Sequence, residues 1–172
     1  MTSIDRNNSM AFAPHRAISA RGFSLAEVLI MVLVLVVAMA IAVPMLGSTN
    51  YSVARAGARR LASDLQFAQD SAITTQKDVT VTFDVNRESY WLSNASGVLI
   101  HPITNGAYMV DFRAIKELSH LDIAKVSGGA TVVFDTSGVP NVGSTVALTA
   151  GDNTFYVTVS AVTGTVNVAA EE

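Results

Sequence analysis

Polarity along the chain changes character three times. Residues 1–22 are mixed and mostly polar, and then Val28–Val43 reads VLIMVLVLVVAMAIAV without one polar side chain. Carried back to Phe23, the apolar run predicts a helix about 31 Å long at roughly 1.5 Å per residue. That is the thickness of a bilayer core, about 30 Å. A helix buried in a soluble core would show a polar face, and this run is apolar all round. From Tyr51 to Thr75, Val53, Gly57, Leu61, Leu65, Ala68 and Ala72 recur at steps of three and four. This spacing predicts an amphipathic helix with one apolar stripe, leaving Arg55, Arg59, Arg60, Asp64 and Asp70 on other faces.

Beyond Thr75 the period falls to two. Strands are predicted at Val79–Phe83, Tyr90–Leu92, Thr131–Phe134, Thr145–Leu148, Phe155–Val159 and Thr165–Val168, in which β-branched and aromatic residues dominate. Turn chemistry separates them at Asn86-Arg87-Glu88, Asp135-Thr136-Ser137-Gly138, Gly151-Asp152-Asn153 and Thr163-Gly164. Gly97–Val126 is less regular, and within it Phe112–Leu121 fits either a short helix or a loop with an irregular strand. The expected class is α+β. Residues 1–22 form a leader, 23–46 a membrane-spanning helix, 47–75 its amphipathic second half and 76–172 a β-rich head.

Charge gives this arrangement a direction. The leader holds Arg6, Arg16 and Arg21 against Asp5, or 3 − 1 = +2, and the remainder 8 bases against 13 acids, or −5. Positive flanks stay cytoplasmic, so the head is expected across the membrane. The chain has no cysteine, which removes disulfides and Cys-ligated metals. A cleaved secretory signal is the rival reading, but its apolar region is normally about 7–15 residues and ends in small-x-small. Pro44-Met45-Leu46-Gly47 is a poor version of that site.

Glu27 is the one charge inside the apolar run, and toward the C-terminus no base follows until Arg55. A carboxylate at the centre of a membrane helix costs about 2.5–3.5 kcal/mol, less near the edge, so it needs a partner. Arg21 is one candidate. If the chain is cut between Gly22 and Phe23, the new amine of Phe23 is another, best placed to meet Glu27 of a neighbouring copy and so set axial register.

The segment Arg21-Gly22-Phe23-Ser24-Leu25-Ala26-Glu27-Val28-Leu29-Ile30 resembles the processing motif of type IV pilins and type II secretion pseudopilins. The resemblance implies that a prepilin peptidase cuts after Gly22 and methylates Phe23, and that Glu27 serves assembly. Ser24 and Ala26 depart mildly from the family pattern. Pro44 falls where that family commonly kinks its helix. In its own right Pro44 lacks an N–H and crowds the carbonyl of Ala40, so it bends or ends the helix. Further on, Arg55, Arg59 and Arg60 fit either a solvated face or contact with phospholipid headgroups or a partner. Arg60 and Asp64 sit at i, i+4 in the less favoured order and contribute little.

The head is similar to the GspH/FimT-like group of minor pseudopilins. The residues that carry this are Leu65–Ile73, a strand with Trp91, Val133-Phe134-Asp135-Thr136-Ser137-Gly138-Val139-Pro140, and the closing Thr158–Val166. Gln69 stands where that group often has arginine. The resemblance implies a pilin-like fold, a long α-helical spine packed on an antiparallel β-sheet.

No catalytic constellation accompanies these features. His15, His101 and His120 share no ligand spacing, and no nucleophile elbow, P-loop or dinucleotide fingerprint occurs. The Asp135 and Asp152-Asn153 segments offer oxygens to calcium but are more simply turns. No enzyme, metal or cofactor is expected. Nucleic acid is not favoured as a partner, because past the leader the chain is acidic and its last base is Lys125. The expected role is a minor pseudopilin of a type II secretion system, anchored once in the inner membrane with its head in the periplasm. Prepilin peptidase, sister pseudopilins or pilins, the inner-membrane assembly platform and lipid are the expected partners. A minor type IV pilin, for pilus assembly or DNA uptake, shares the anchor motif and stands as the alternative. An unrelated single-span protein stands behind both.

Overall fold

The computed structural model describes residues 24–46 and 48–171, with side chains described over 24–39 and 49–171. Two compact units divide at Ile41/Ala42.

The first unit carries most of helix α1, Leu25–Leu46, 22 residues long. Its first turn is closed by the Ser24 carbonyl, which accepts from the amides of Glu27 (2.9 Å) and Val28 (3.2 Å). Every side chain described in α1 is exposed. Among the residues described in full, no helix is both long and apolar enough to cross a membrane.

The second unit is built on α2, Ser48–Thr75. Its buried face is Ala54, Gly57, Ala58, Leu61, Ala62, Leu65, Ala68 and Ala72. The predicted stripe holds, except that Val53 is only half-buried and Ala54 and Ala58 line the core beside Gly57. So many small residues let the helix axis approach its neighbours closely. At Gly57 the approach is tightest, since a Cβ there would lie 2.1 Å from Leu121 Cδ2.

The head is antiparallel β-structure, as expected, and it divides into two sheets. Strands β1 (Val79–Asp84), β2 (Ser89–Asn94), β3 (Gly97–Val98), β4 (Met109–Asp111) and β6 (Thr131–Phe134) form a five-stranded sheet in the order β3-β2-β1-β6, with β4 also on β2. Strands β5 (Asp122–Ser127), β7 (Ser144–Ala150), β8 (Asn153–Val159) and β9 (Val166–Ala170) form the other, in the order β5-β7-β8-β9. All pairings are antiparallel. The split follows from which strands meet: β6 goes back to β1, while β7 turns to β5 and β8, an outcome of long-range pairing that local periodicity does not encode. Helix α2 packs on β1 and β6 of the first sheet and on β7, β8 and β9 of the second. Val79, Val81, Leu92, Val132, Phe134, Leu148 and Val157 close one core around it.

The irregular stretch 97–126 resolves into β3, β4, a 3-10 turn at Lys116–Leu118 and β5. Strand β5 shifts register between Ile123 and Lys125, a bulge that breaks its alternation.

Candidate assembly site

The features that bear on function fall in two places, the start of α1 and the spine of the head. Gly22 and Phe23 lie outside the described residues. Glu27 lies in the first turn of α1, where an acidic side chain favours the positive end of the helix dipole. Around it Leu25, Val28, Leu29, Ile30 and Met31 are each about half exposed or more, a contiguous apolar surface of the kind that marks a protein or membrane contact. Pro44 lies in the last turn of α1, whose assignment ends at Leu46; α2 resumes at Ser48, and Gly47 lies outside the described residues.

On the spine, the apolar spacing places Asp64 on a face other than the stripe. The fold turns it inward. Tyr90 Oη donates to Asp64 Oδ2 at 2.5 Å and Tyr108 Oη to Oδ1 at 3.0 Å. Arg60 Nε stands 3.9 Å from the same carboxylate, so the expected weak i, i+4 pair forms at the clamp's wet edge. Burial, then the adjacent Asp64 charge, holds the Tyr90 phenol well above its usual range, and the same causes raise Tyr108. Tyr90 lies on β2 and Tyr108 just before β4, which pairs with β2, so one carboxylate ties both segments to α2. Phe67 stacks on Tyr108 at 5.1 Å and continues the contact. Spacing could have flagged Asp64: it stands three residues from Leu61 and four from Ala68, on the flank of the apolar stripe.

Gln69, the departure from the family's arginine, is a second fastening. Its Nε2 donates to the carbonyls of Gly138 (2.7 Å) and Thr163 (3.1 Å), tying two turns that follow β6 and β8 to α2. Gly164 has φ +68°, and a Cβ there would sit 2.4 Å from Gln69 Nε2, so that turn needs glycine for both its backbone and its contact. Gln76 Nε2 reaches the Thr136 carbonyl at 3.3 Å in the same region.

Glu88, read from sequence as a turn residue, also points inward. It has φ +51°, its carboxylate accepts from the Ile123 amide, and Arg113 lies 3.6 Å away. The contact joins the start of β2 in one sheet to β5 in the other.

The remaining candidates do not gather. His15 lies outside the described residues, and His120 is exposed. His101 caps its own turn, its Nδ1 accepting from the Ile103 and Thr104 amides. Asp135 Oδ1 accepts from the amides of Ser137 (2.8 Å) and Val139 (2.9 Å), the bonding of a turn. Among the described residues no group of three or more acidic or histidine side chains could hold a metal ion. Trp91 lies on the outward face of β2, paired across the sheet with Thr82 and Met109.

Two structures of the minor pseudopilin EpsH from the type II secretion system of Vibrio cholerae match with TM-scores of 0.54 and 0.54 at 18% identity. They cover 68% and 70% of this chain and 96% of each of those chains. The type IV minor pilin FimU of Pseudomonas aeruginosa gives a TM-score of 0.49 at 18% identity, over 69% of this chain and 88% of its own. No curated protein matches in sequence. The EpsH likeness establishes a shared fold, the helical spine with its antiparallel head. The sequence model of the family described as type II transport protein GspH matches residues 57–164, which is 164 − 57 + 1 = 108 of the 172 residues and takes in the Asp64 clamp and the Gln69 fastening. By that match across more than half of its length, the chain belongs to the GspH family of type II transport proteins.

Proposed function

We propose that this chain is a minor pseudopilin, a structural and non-enzymatic subunit of a type II secretion pseudopilus. The observation that carries the reading is the GspH family match over the spine and head, joined to a pilin-type processing motif ahead of an apolar helix. In this account a prepilin peptidase cuts between Gly22 and Phe23 and methylates Phe23. The segment from Phe23 to Leu46 then holds the protein in the inner membrane, with the head in the periplasm.

Assembly follows from the physics of Glu27. In lipid its carboxylate is costly without a partner. The processed amine of a neighbour's Phe23 supplies one when the two helices align in one register, so the pairing selects a single axial offset. Pro44 removes one backbone hydrogen bond near the end of α1 and gives the helix a soft point there. Sister pseudopilins and the assembly platform of the inner membrane are the partners this role requires.

The test is Glu27→Ala in cells carrying the secretion system. The variant should be inserted and processed normally yet be lost from sheared or cross-linked pseudopilus fractions. Normal incorporation of Glu27→Ala would refute the register role. Recovery of the wild-type chain in a surface pilus instead of secretion complexes would move the assignment to a minor type IV pilin.

A further inference from the structure

Between Glu27 and Asp64 the chain has no acidic residue, and its only charges there are Arg55, Arg59 and Arg60. All three lie on α2. Arg55 and Arg59 are exposed, and Arg60 keeps 41% of its side chain in water with only the 3.9 Å contact to Asp64. Tyr51, 44% exposed, stands four residues before Arg55, so Tyr51, Arg55 and Arg59 follow one another at i, i+4 and i+8 along a single helix face. The Tyr51 ring is braced edge-on against Phe155, with centroids 5.3 Å apart, which fixes the start of that face on the head.

We infer that this face is a docking site for anionic phospholipid headgroups. The inference rests on the membrane-anchored reading given above. Seven helical steps from Ser48 to Arg55 and two residues before them keep Arg55 within about 18 Å of the end of α1, whatever the chain does at Gly47. The arginine side chain shortens that gap further by snorkelling back toward the phosphates. Tyrosine and arginine are the side chains that settle at headgroup level, one with an amphipathic ring and the other with a fork of donors matched to phosphate. Topology alone does not account for the stripe. Bases close to a membrane helix are disfavoured on the translocated side, and these three lie there. Beyond α2 the described head carries Lys77, Arg87, Arg113, Lys116 and Lys125 among a larger number of acidic residues, whereas Arg55 and Arg59 stand on a stretch of chain without an acid between Glu27 and Asp64. The site thus holds the head down on the membrane before assembly and is released as the helix leaves the bilayer.

The test uses the full chain, which has no native cysteine, with a fluorophore on Ser63→Cys, an exposed position four residues beyond Arg59. The protein is reconstituted in phosphatidylcholine vesicles with or without about 30 mol% phosphatidylglycerol, and quenching by a headgroup-labelled lipid is read. Quenching should appear with phosphatidylglycerol and fade near 1 M salt, where the screening length falls to about 3 Å. Arg55→Gln/Arg59→Gln should weaken the contact about fivefold per arginine, and Arg55→Lys/Arg59→Lys should largely retain it. Equal quenching in neutral vesicles, or quenching indifferent to the arginines, would overturn the inference while leaving the anchor intact. Arginine-dependent self-quenching between copies would also overturn it, by assigning the face to a protein neighbour. A chain that does not float with vesicles at all would instead sink the anchor reading, and this inference with it.

Discussion

Replacing Asp64 with alanine should be among the most damaging single changes on the exposed-looking side of α2. Its carboxylate accepts from two phenols, Tyr90 at 2.5 Å and Tyr108 at 3.0 Å, and both rings are buried. Asp64→Ala removes two hydrogen bonds to a charged group and strands two buried hydroxyls. Each stranded group costs about 1–3 kcal/mol, so we expect a loss of about 3–5 kcal/mol. Against a typical domain stability of about 5–15 kcal/mol, that brings the head close to unfolding. Arg60→Ala, by contrast, removes only a partly exposed pair and should cost below about 1 kcal/mol. The assay is urea unfolding of the detergent-solubilised chain, followed through Trp91, its single tryptophan. A double-mutant cycle completes the test. Tyr90→Phe should destabilise the wild type by about 1.5–3 kcal/mol but be neutral or favourable once Asp64 is alanine. An Asp64→Ala cost near that of Arg60→Ala, or additive Asp64 and Tyr90 effects, would refute the clamp.

Three further outcomes follow from the same geometry. The raised phenols of Tyr90 and Tyr108 stay protonated in the folded head while unfolded tyrosines ionise near pH 10, so stability should be level below that pH and fall above it. The slope should approach about 1.4 kcal/mol per pH unit for each tyrosine and flatten in Tyr90→Phe/Tyr108→Phe, read by unfolding titrations from pH 8 to 12. Gly57→Ala puts a methyl 2.1 Å from Leu121 Cδ2 and should cost about 1–3 kcal/mol, seen as earlier proteolysis of the 3-10 turn segment. Gln69→Ala should cost about 1–2 kcal/mol and speed amide exchange in the turns at Gly138 and Gly164, which it ties to α2.

Much of this architecture is legible along the chain, and the exceptions have physical causes. Strands β1, β6 and β8 were expected within a residue or two, because β-branched alternation and turn residues mark them locally. Strand β5 escaped because its bulge between Ile123 and Lys125 interrupts the period on which such a reading depends. The division into two sheets is a matter of which strand meets which across many residues, and no local pattern reports it. What spacing does not report is the inward hold on Asp64 and Glu88. Placing one off the apolar stripe and the other in a turn says nothing of their donors, which come from elements far along the chain, Tyr90 and Tyr108 for one, the Ile123 amide and Arg113 for the other. Gln69 stood out in sequence only as a departure from a family pattern, and its role emerges from the two turns that converge on it.

The processing motif ahead of α1 is the part of the account most directly open to experiment. Intact mass and N-terminal sequencing of the chain extracted from membranes address it in one step. The account predicts a mature protein that begins at Phe23 and carries one additional methyl group. A chain still beginning at Met1 would contradict the prepilin reading, and one beginning beyond Gly47 would make the apolar run a cleaved signal and the head a protein free of the membrane.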